Sequence, residues 1–323
     1  MVTGGAGYIG SHTVRALLAA EHEVVVVDDL SAGHERAVQG ATLAVGDVGD
    51  RDFVESVMTT QGPFDGVIHF AGYIEVARSV ADPLAFYETN LTKAATLVGA
   101  CVDHDIKAFV FSSTAAVYGL PEFQPIPEKA TVAPINPYGW SKAMLEQVLA
   151  DVEHAHGMPW IALRYFNACG AHPDGDLGED HEPETHLIPL AIAAAAGRRD
   201  EMKLFGTDYP TPDGTCIRDY IHVDDLASAH VLAVEGLLKG LPSGRYNLGT
   251  GIGHSNLEIL QAVGRGVGRP VPYSVAARRP GDPAELVADS SKFQEMFGWQ
   301  PMSSDLDHIV TTAWRWHRSQ WGM

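Results

Sequence analysis

Met1, Val2, Thr3, Gly4, Gly5, Ala6, Gly7, Tyr8, Ile9 and Gly10 open the chain, and residues 11–20 continue with helical spacing. An apolar strand end that runs through glycines at 4, 7 and 10 into a helix has the form of a dinucleotide-binding turn. The first glycine permits the tight turn, the second lets backbone approach a pyrophosphate, the third lets helix pack on strand, and the helix N-terminus receives the phosphates. Three spaced glycines are weak evidence alone, so the context decides. Val24, Val25, Val26 and Val27 read as a second buried parallel strand, and Asp28 ends it at roughly the ~20-residue distance of a ribose-binding acid. Asp28 and its neighbour Asp29 would accept hydrogen bonds from the adenosine ribose and repel a 2′-phosphate. No Arg or Lys follows before Arg36, so NAD is favoured over NADP. The opening strand has three residues where about five are usual, which raises the expectation that residues are missing before Met1.

The pattern of short apolar runs and helical segments continues. Leu43, Leu43's neighbour Ala44 and Val45 form a third strand, with Asp47 and Val48 at its end where an adenine would be lined; Asp47 alone reads equally well as a turn residue. Val67, Ile68 and His69 lead into Phe70, Ala71 and Gly72, small at the end, as close passage past a pyrophosphate requires. Residues 83–103 read as one long helix. Phe109, Val110, Phe111, Ser112, Ser113 and Thr114 make a fifth strand whose polar end falls in the crevice where parallel sheets bind ligands. The expected architecture is α/β: a doubly wound parallel Rossmann sheet over residues 1–169, with return segments near 218–247, and a smaller C-terminal α/β lobe over 170–323. Ser255 and Glu258 make a capping box that starts a helix in that lobe.

Tyr138 and Lys142 stand one turn apart on a helix that Pro137 introduces, and so share a face. A free tyrosine has a pKa near ~10, and bringing it to ~7 needs roughly 4 kcal/mol. A lysine ammonium at ~5 Å supplies about 3 kcal/mol at an effective dielectric of ~20. An oxidised nicotinamide would add a second positive charge. Thr114, some 25 residues upstream, becomes a hydroxyl partner for the reacting oxygen; taken alone, each of these residues reads as ordinary packing or solvation.

Composition sets outer limits. A formal net charge of −19 disfavours nucleic acid and anionic membrane, which need clustered Lys and Arg. No leader precedes the glycine-rich turn and no stretch is apolar enough to span a bilayer, so a cytoplasmic protein is expected. Cys101, Cys169 and Cys216 are too few and too far apart for a disulfide framework, and the fifteen histidines show no spacing such as HExxH, so no metal is expected.

Glycines 4, 7 and 10, Asp28, Asp47, the trio Phe70, Ala71 and Gly72, Thr114, and the pair Tyr138 and Lys142 together resemble an extended short-chain dehydrogenase/reductase. Arg164, Tyr165, Phe166 and Asn167, then Gly170, Ala171, His172 and Pro173, then Arg218, Asp219, Tyr220, Ile221 and His222, narrow the resemblance to the UDP-glucose 4-epimerase family. Tyr246, Asn247, Leu248 and Gly249, and Arg278, Arg279, Pro280, Gly281 and Asp282, do so too. The likeness spans essentially the whole chain. It implies inversion of UDP-glucose and UDP-galactose at sugar C4 through a 4-keto intermediate with tightly bound NAD.

Carried over position by position, the resemblance makes Tyr138 the base and acid, Lys142 its cationic neighbour and Thr114 the holder of the sugar oxygen. Gly4, Gly7, Tyr8, Ile9, Gly10, Asp28, Asp29, Asp47, Val48, Phe70, Ala71, Gly72, Asn90, Ser112, Tyr165 and Phe166 would join Tyr138 and Lys142 around NAD. Asn167, His186, Leu187, Lys203, Leu204, Phe205 and Tyr220 would meet the nucleotide sugar, with Phe205 against the uracil. Arg218 and Arg279 would clamp the diphosphate, as planar guanidinium forks can, and Asp282 would take the uridine ribose; a plain salt bridge to Asp219 or Asp224 is the other reading of Arg218. A homodimer built from the helices at Pro83 and Tyr138 is implied as well.

Departures from the family pattern stand at Ile74, where lysine is frequent, at Ala77 and Arg78 in place of Gly and Glu, and at Lys93 in place of Gly, which puts close helix packing there in question. Leu286 falls where residue size gates N-acetylated sugars, so weak UDP-N-acetylhexosamine activity stays open; UDP-uronate/pentose 4-epimerisation is a further alternative on the same scaffold. A dehydratase is disfavoured because Ala115 and Ala116 follow Thr114 where an acid and a base are needed. A catalytically silent NAD-binding regulator is the rival of another class.

Overall fold

Strands that are apolar on both faces must be covered by helices on both faces, and the computed structural model, which describes residues 1–279 and 281–323, is built this way. Pro280, in the arginine-rich motif, lies outside the described residues. The chain runs β1 (Val2–Thr3), α1 (Tyr8–Ala19), β2 (Val25–Asp28), β3 (Thr42–Val45), α2 (Arg51–Gln61), β4 (Gly66–His69), α3 (Val76–Ala81) and α4 (Pro83–Tyr87). A π-helical segment, Glu88–Lys93, leads into α5 (Ala94–Asp103), then β5 (Ala108–Thr114), α6 (Pro137–His156), β6 (Trp160–Tyr165) and β7 (Asn167–Cys169). There follow α7 (Leu187–Ala195), β8 (Met202–Phe205), β9 (Ile217–His222), α8 (Val223–Leu238), β10 (Gly244–Leu248), β11 (Gly253–Ser255) and α9 (Asn256–Val267). β12 (Tyr273–Ala276), β13 (Glu285–Leu286), α10 (Ser291–Phe297) and α11 (Leu306–Gln320) complete it.

Seven parallel strands form the main sheet in the order β10-β6-β5-β4-β1-β2-β3. Two-residue β1 is held on both sides, Val2 standing opposite Val26 and Ile68. Val26, Ile68, Val110, Ile161 and Leu163 point to a core under α1 and α8; Val27, Val67, Phe109, Phe111 and Ala162 point to a second core under α2, α5 and α6. Strand alternation thus feeds two cores at once, each fully buried Val, Leu, Ile or Phe contributing about 1.5–3 kcal/mol. β9 lies in a smaller sheet with β7, β11 and β13, while the α8 and β10 that follow it rejoin the large one. Against the smaller sheet, α7, α9 and α11 close a third core.

The helix read from residues 83–103 is interrupted. Asn90, buried within the π segment, uses its side-chain amide to bond both backbone groups of Tyr73, accepting from its N–H at 2.8 Å and donating to its carbonyl at 2.9 Å. A widened turn at a functional edge is a common use of such segments. The strand expected through Gly72 stops at His69, because after the Phe70 amide bonds Thr3 the chain turns out of the sheet.

The element that carries Tyr138 is fixed with unusual firmness. Asn136 caps α6, its Oδ1 accepting from the Gly139 amide at 2.8 Å, with Pro137 at the first helical position, and Gly157 at φ +74° ends it. Eight residues beyond Tyr138 the same helix face presents Glu146, which is 1% exposed. Its carboxylate accepts from Arg164 Nε at 2.8 Å and Nη2 at 2.5 Å, from Ser113 Oγ at 2.6 Å and from Arg245 Nε at 2.9 Å. One side chain therefore ties α6 to β5, β6 and β10. Removing one partner of a buried pair strands the other charge, so Glu146→Gln is expected to lower unfolding free energy by about 3–5 kcal/mol. Equilibrium denaturant unfolding measures this, and a loss below about 1 kcal/mol would show that the pair does not hold the helix.

Candidate active site

At the cofactor side, the glycines are required for different reasons. Gly4 has φ +68°, and a Cβ on it would stand 2.5 Å from the Ala71 amide nitrogen; a Cβ on Gly10 would stand 2.2 Å from the Gly4 carbonyl oxygen. Gly7 differs, since an added Cβ would meet only that carbonyl, at 3.4 Å. Its missing side chain leaves the front of α1 open, where no side chain caps the helix and the first turn holds no acid. That is a cradle for an anion, and the residues present fit a dinucleotide pyrophosphate.

Asp28 is held facing this turn. Its two oxygens accept from the amides of Ala6 and Leu30, each at 2.9 Å, and each keeps a lone pair for a ribose hydroxyl. Burial pushes its carboxyl up and the two amides oppose that shift. Asp29 is occupied elsewhere, accepting from the Ser31 amide at 2.9 Å and hydroxyl at 2.6 Å. Asp47 accepts from the Gly49 amide at 2.8 Å and from Lys93 Nζ at 2.5 Å, so both its turn role and a cationic partner are present. Lys93 does not obstruct packing, because its stem lies on Gly49 and its head reaches Asp47. Val48 is buried in the core beside them, Ile9 packs on the opposite core, and the Phe70 ring stands 4.6 Å from that of His230. Tyr8 Oη donates to the Gly170 carbonyl at 2.6 Å, and Arg15 pairs with Asp174 and Asp176 and Arg36 with Asp180, each at 2.7 Å. Residues 170–180 are thereby fastened across the glycine-rich turn.

At the C-terminal end of β5, the same sheet edge as that turn, the reactive groups converge. Lys142 is 3% exposed, and its Nζ donates to the Ser112 carbonyl at 3.0 Å, 4.9 Å from the Phe111 ring centre and 5.9 Å from that of Tyr138. Thr114 Oγ1 accepts from the Ala116 amide at 3.1 Å, leaving its proton to donate. Ser112 Oγ bonds Tyr165 Oη, and Asn90 reaches Ser141 Oγ at 3.3 Å. A Cβ on Gly72 would stand 2.9 Å from Asn90 Oδ1 and 3.8 Å from Lys142 Nζ, so this glycine is the point where the loop passes the lysine. Burial pushes the Tyr138 phenol up, with the hydrogen bond from Thr114 opposing it, and pulls Lys142 down to about 8. The lysine's attraction covers only part of the shift that a base at neutral pH needs, the charge of an oxidised nicotinamide being left to add the rest, and burial works against both groups. The Coulomb estimate counts attraction between the two groups, whereas desolvation acts on each and disfavours both charged forms.

At the nucleotide side, Arg218 is paired neither with Asp219 nor with Asp224. Its Nη2 donates to Asp282 at 2.6 Å and its Nη1 to the Ile217 carbonyl at 2.8 Å. Asp219 instead accepts from the amides of Thr250, Gly251 and Ala288. The Arg279 guanidinium lies 4.1 Å over the Phe205 ring, the surface expected to meet a uracil. Three expected side chains are otherwise engaged: Lys203 bonds Glu201 and Ser274 at the surface, and Leu204 and Tyr220 are 3% and 4% exposed within the lobe. Strand alternation turns Leu204 away from Phe205, so only its backbone can serve a ligand. Asn167 pairs in register with Tyr220, and Phe166 and Leu286 pack on the cluster of Ala115, Val117, Tyr118 and Ile126. Ile74 and Ala77 are exposed, and Arg78 stacks 4.1 Å from the Tyr73 ring with Glu75 3.5 Å away.

His186 and Leu187 begin α7, but the His186 ring faces acids: Glu179 at 2.7 Å and Glu184 at 3.1 Å. Sequence reading also passes over Glu146, although an acid at the third step of the Tyr138, Lys142 stripe was the visible signal.

A model of the NAD dependent epimerase/dehydratase family matches residues 1–249. The UDP-glucose 4-epimerase of Rhizobium meliloti is 50% identical over all of this chain and 98% of its own length. The crystal structure of the UDP-glucose 4-epimerase from Brucella ovis in complex with NAD is 49% identical, with a TM-score of 0.95 over 97% of this chain and 96% of that one. The Bifidobacterium longum UDP-glucose 4-epimerase in complex with NAD+ and UDP is 39% identical, with a TM-score of 0.92 over 99% and 97%. With its glycine-rich turn, Asp28 facing that turn, and Thr114, Tyr138 and Lys142 at one sheet edge, the chain belongs to the NAD dependent epimerase/dehydratase family.

Proposed function

We propose that the chain interconverts UDP-glucose and UDP-galactose by inversion at sugar C4 through a transient 4-ketopyranose, with NAD retained through the cycle. The convergence of Tyr138, Thr114 and Lys142 at the end of β5 carries this reading, and the epimerase relatives support it. Bound NAD supplies hydride acceptance and donation at C4. Tyr138 takes the proton of the sugar 4-hydroxyl and gives it back, while Thr114 donates its single hydroxyl proton to the sugar oxygen. Lys142, positioned by the Ser112 carbonyl, stabilises the phenolate with its charge.

The nucleotide end is a tether. Arg218 keeps donors free after its bonds to Asp282 and Ile217, and these with Arg279 clamp the diphosphate. Moving Arg279 to the phosphates bares the Phe205 face for the uracil, and Asp282 takes the ribose hydroxyls. Asn167, His186 and Leu187 meet the sugar loosely, so binding energy comes from groups that do not react. Tyr165 and Phe166 flank the nicotinamide. Residues 1–169, with α8 and β10 returning to the large sheet, form the NAD body, and most of the remainder forms the sugar-nucleotide lobe.

Ala115 and Ala116 after Thr114 can move no proton, which argues against a dehydratase. Tyr138→Phe is expected to lower kcat by about 10²–10⁴-fold while the purified variant keeps its NAD. A coupled UDP-galactose assay with cofactor analysis after denaturation tests this; retained turnover in the variant, or no epimerisation by the native chain, would sink the proposal.

Leu286, half-buried against the cluster on which Phe166 also packs, is intermediate in size at the sugar gate, so weak activity on UDP-N-acetylhexosamines accompanies the main reaction. Leu286→Tyr should raise the ratio of UDP-glucose to UDP-N-acetylglucosamine turnover, and an unchanged ratio removes Leu286 from the account. The chain works in the cytoplasm as a homodimer. No helix among the described residues is long and apolar enough to cross a membrane. α3 and α4 pack on α6 and expose Val80, Leu84, Trp140 and Met144, with Leu84 78% exposed. Leu84→Asp should convert a dimer to a monomer in light scattering coupled to size exclusion, whereas a monomeric native chain would refute the interface.

A further inference from the structure

Between Gly178 and α7 the chain gathers two acids and two histidines from one short loop. Glu179, 3% exposed at its side chain, stands 2.7 Å from His186 Nδ1 and 3.3 Å from His181 Nδ1; Glu184 stands 3.1 Å from His186 Nδ1 and 3.8 Å from His181 Nδ1. One donor atom from each of the four lies within 4.8 Å of every other. The bland explanation is a network of ion pairs between carboxylates and charged imidazoles; burial disfavours the protonated rings, and the two acids beside them more than offset that. Two observations sit poorly with it. His181 Nδ1 is buried yet makes no hydrogen bond, and His186 Nδ1, which can donate only once, faces two carboxylates.

Four donors about 2.1 Å from a tetrahedral centre, the usual bond length for Zn²⁺ with His nitrogen and carboxylate oxygen, stand about 3.4 Å from one another. The four acid-to-imidazole distances bracket that value, and the two at His181, 3.3 and 3.8 Å, are longer than the ~2.8 Å of charge-assisted hydrogen bonds. The loop backbone is fixed as ligand supports usually are. The Glu179 carbonyl accepts from Trp316 Nε1 at 3.1 Å, and Glu184 Oε1 accepts from the amides of Thr185 and His186, each at 2.7 Å.

The geometry points to a closed, four-coordinate site for a zinc-class divalent cation, with Glu179, His181, Glu184 and His186 as its ligands. Such an ion replaces the shared protons, satisfies His181 Nδ1, and closes the loop that leads into α7. A closed donor set leaves no position for water, so the role is structural rather than catalytic. The site shares one residue with the sugar-nucleotide reading, His186, whose Nδ1 takes the ion while Nε2 is left for the sugar.

Metal analysis of the NAD-loaded protein purified without chelator, followed by zinc titration against a chromophoric competitor after chelation, tests this. One zinc per chain is expected, and cobalt substitution should give the intense visible absorption of four-coordinate Co²⁺. His181→Ala, at a partly exposed ring, should weaken zinc binding by more than the ~10–100-fold that loss of an outer partner costs, and Glu179→Gln should do the same. His172→Ala, in the separate group with Asp174 and Asp176, should leave it unchanged. Absence of stoichiometric zinc binding, equal affinity in the native chain and both ligand variants, or loss confined to His172→Ala would each overturn the assignment. Retained NAD content shows that a variant has folded.

Discussion

A carboxylate with almost no access to water governs where the reactive groups stand. Glu146 receives hydrogen bonds from β5, β6 and β10 while belonging to α6, so the rotation and axial position of that helix are set by charge-assisted bonds as well as by packing. Lys142 and Tyr138 lie on the same face, one and two turns earlier. Buried pairs of this kind cost desolvation and need not add net stability. What they supply is direction, since a slip of α6 would leave Glu146, Arg164 and Ser113 unpaired together. Arg164 extends the arrangement to Tyr118 Oη at 3.0 Å, which in turn donates to Asn247 at 2.7 Å.

The site itself is tuned by two opposed demands. Burying the phenol and the amine disfavours the charged form of each, so Tyr138 is raised and Lys142 lowered together. A resting phenol that keeps its proton is stable in a dry crevice. If Tyr138 is the base proposed, its phenolate draws on Lys142 together with the oxidised cofactor, which couples acid strength to occupancy. Fixed dipoles near the lysine, above all the Ser112 carbonyl, keep the cation in place for that moment.

Much of this was legible in the sequence, and for local reasons. The glycines at 4 and 10 report backbone contacts that exclude a Cβ, the valine run reports a doubly covered strand, and Asp28 sits at a fixed distance from the turn. Tyr138 and Lys142 need only helical periodicity. What escaped depends on long-range geometry. No spacing rule says that Glu146 meets Arg164 and Arg245, that Arg218 turns to Asp282, or that Arg279 covers Phe205. The π turn at Asn90 escaped because its cause is a loop seventeen residues away. Glu179, His181, Glu184 and His186 are neighbours in sequence, yet their convergence comes from loop shape rather than from a helical repeat.

The fastening of residues 170–180 over the nucleotide turn has a further effect. Its ion pairs, Arg15 to Asp174 and Asp176 and Arg36 to Asp180, are exposed and therefore weak and screened by salt. The bond from the Tyr8 phenol to the Gly170 carbonyl is sheltered, and it starts from the same turn that cradles the phosphates. A dinucleotide in that turn would share its seat with the sheltered foot of the strap, so salt that screens the ion pairs would leave this foot in place.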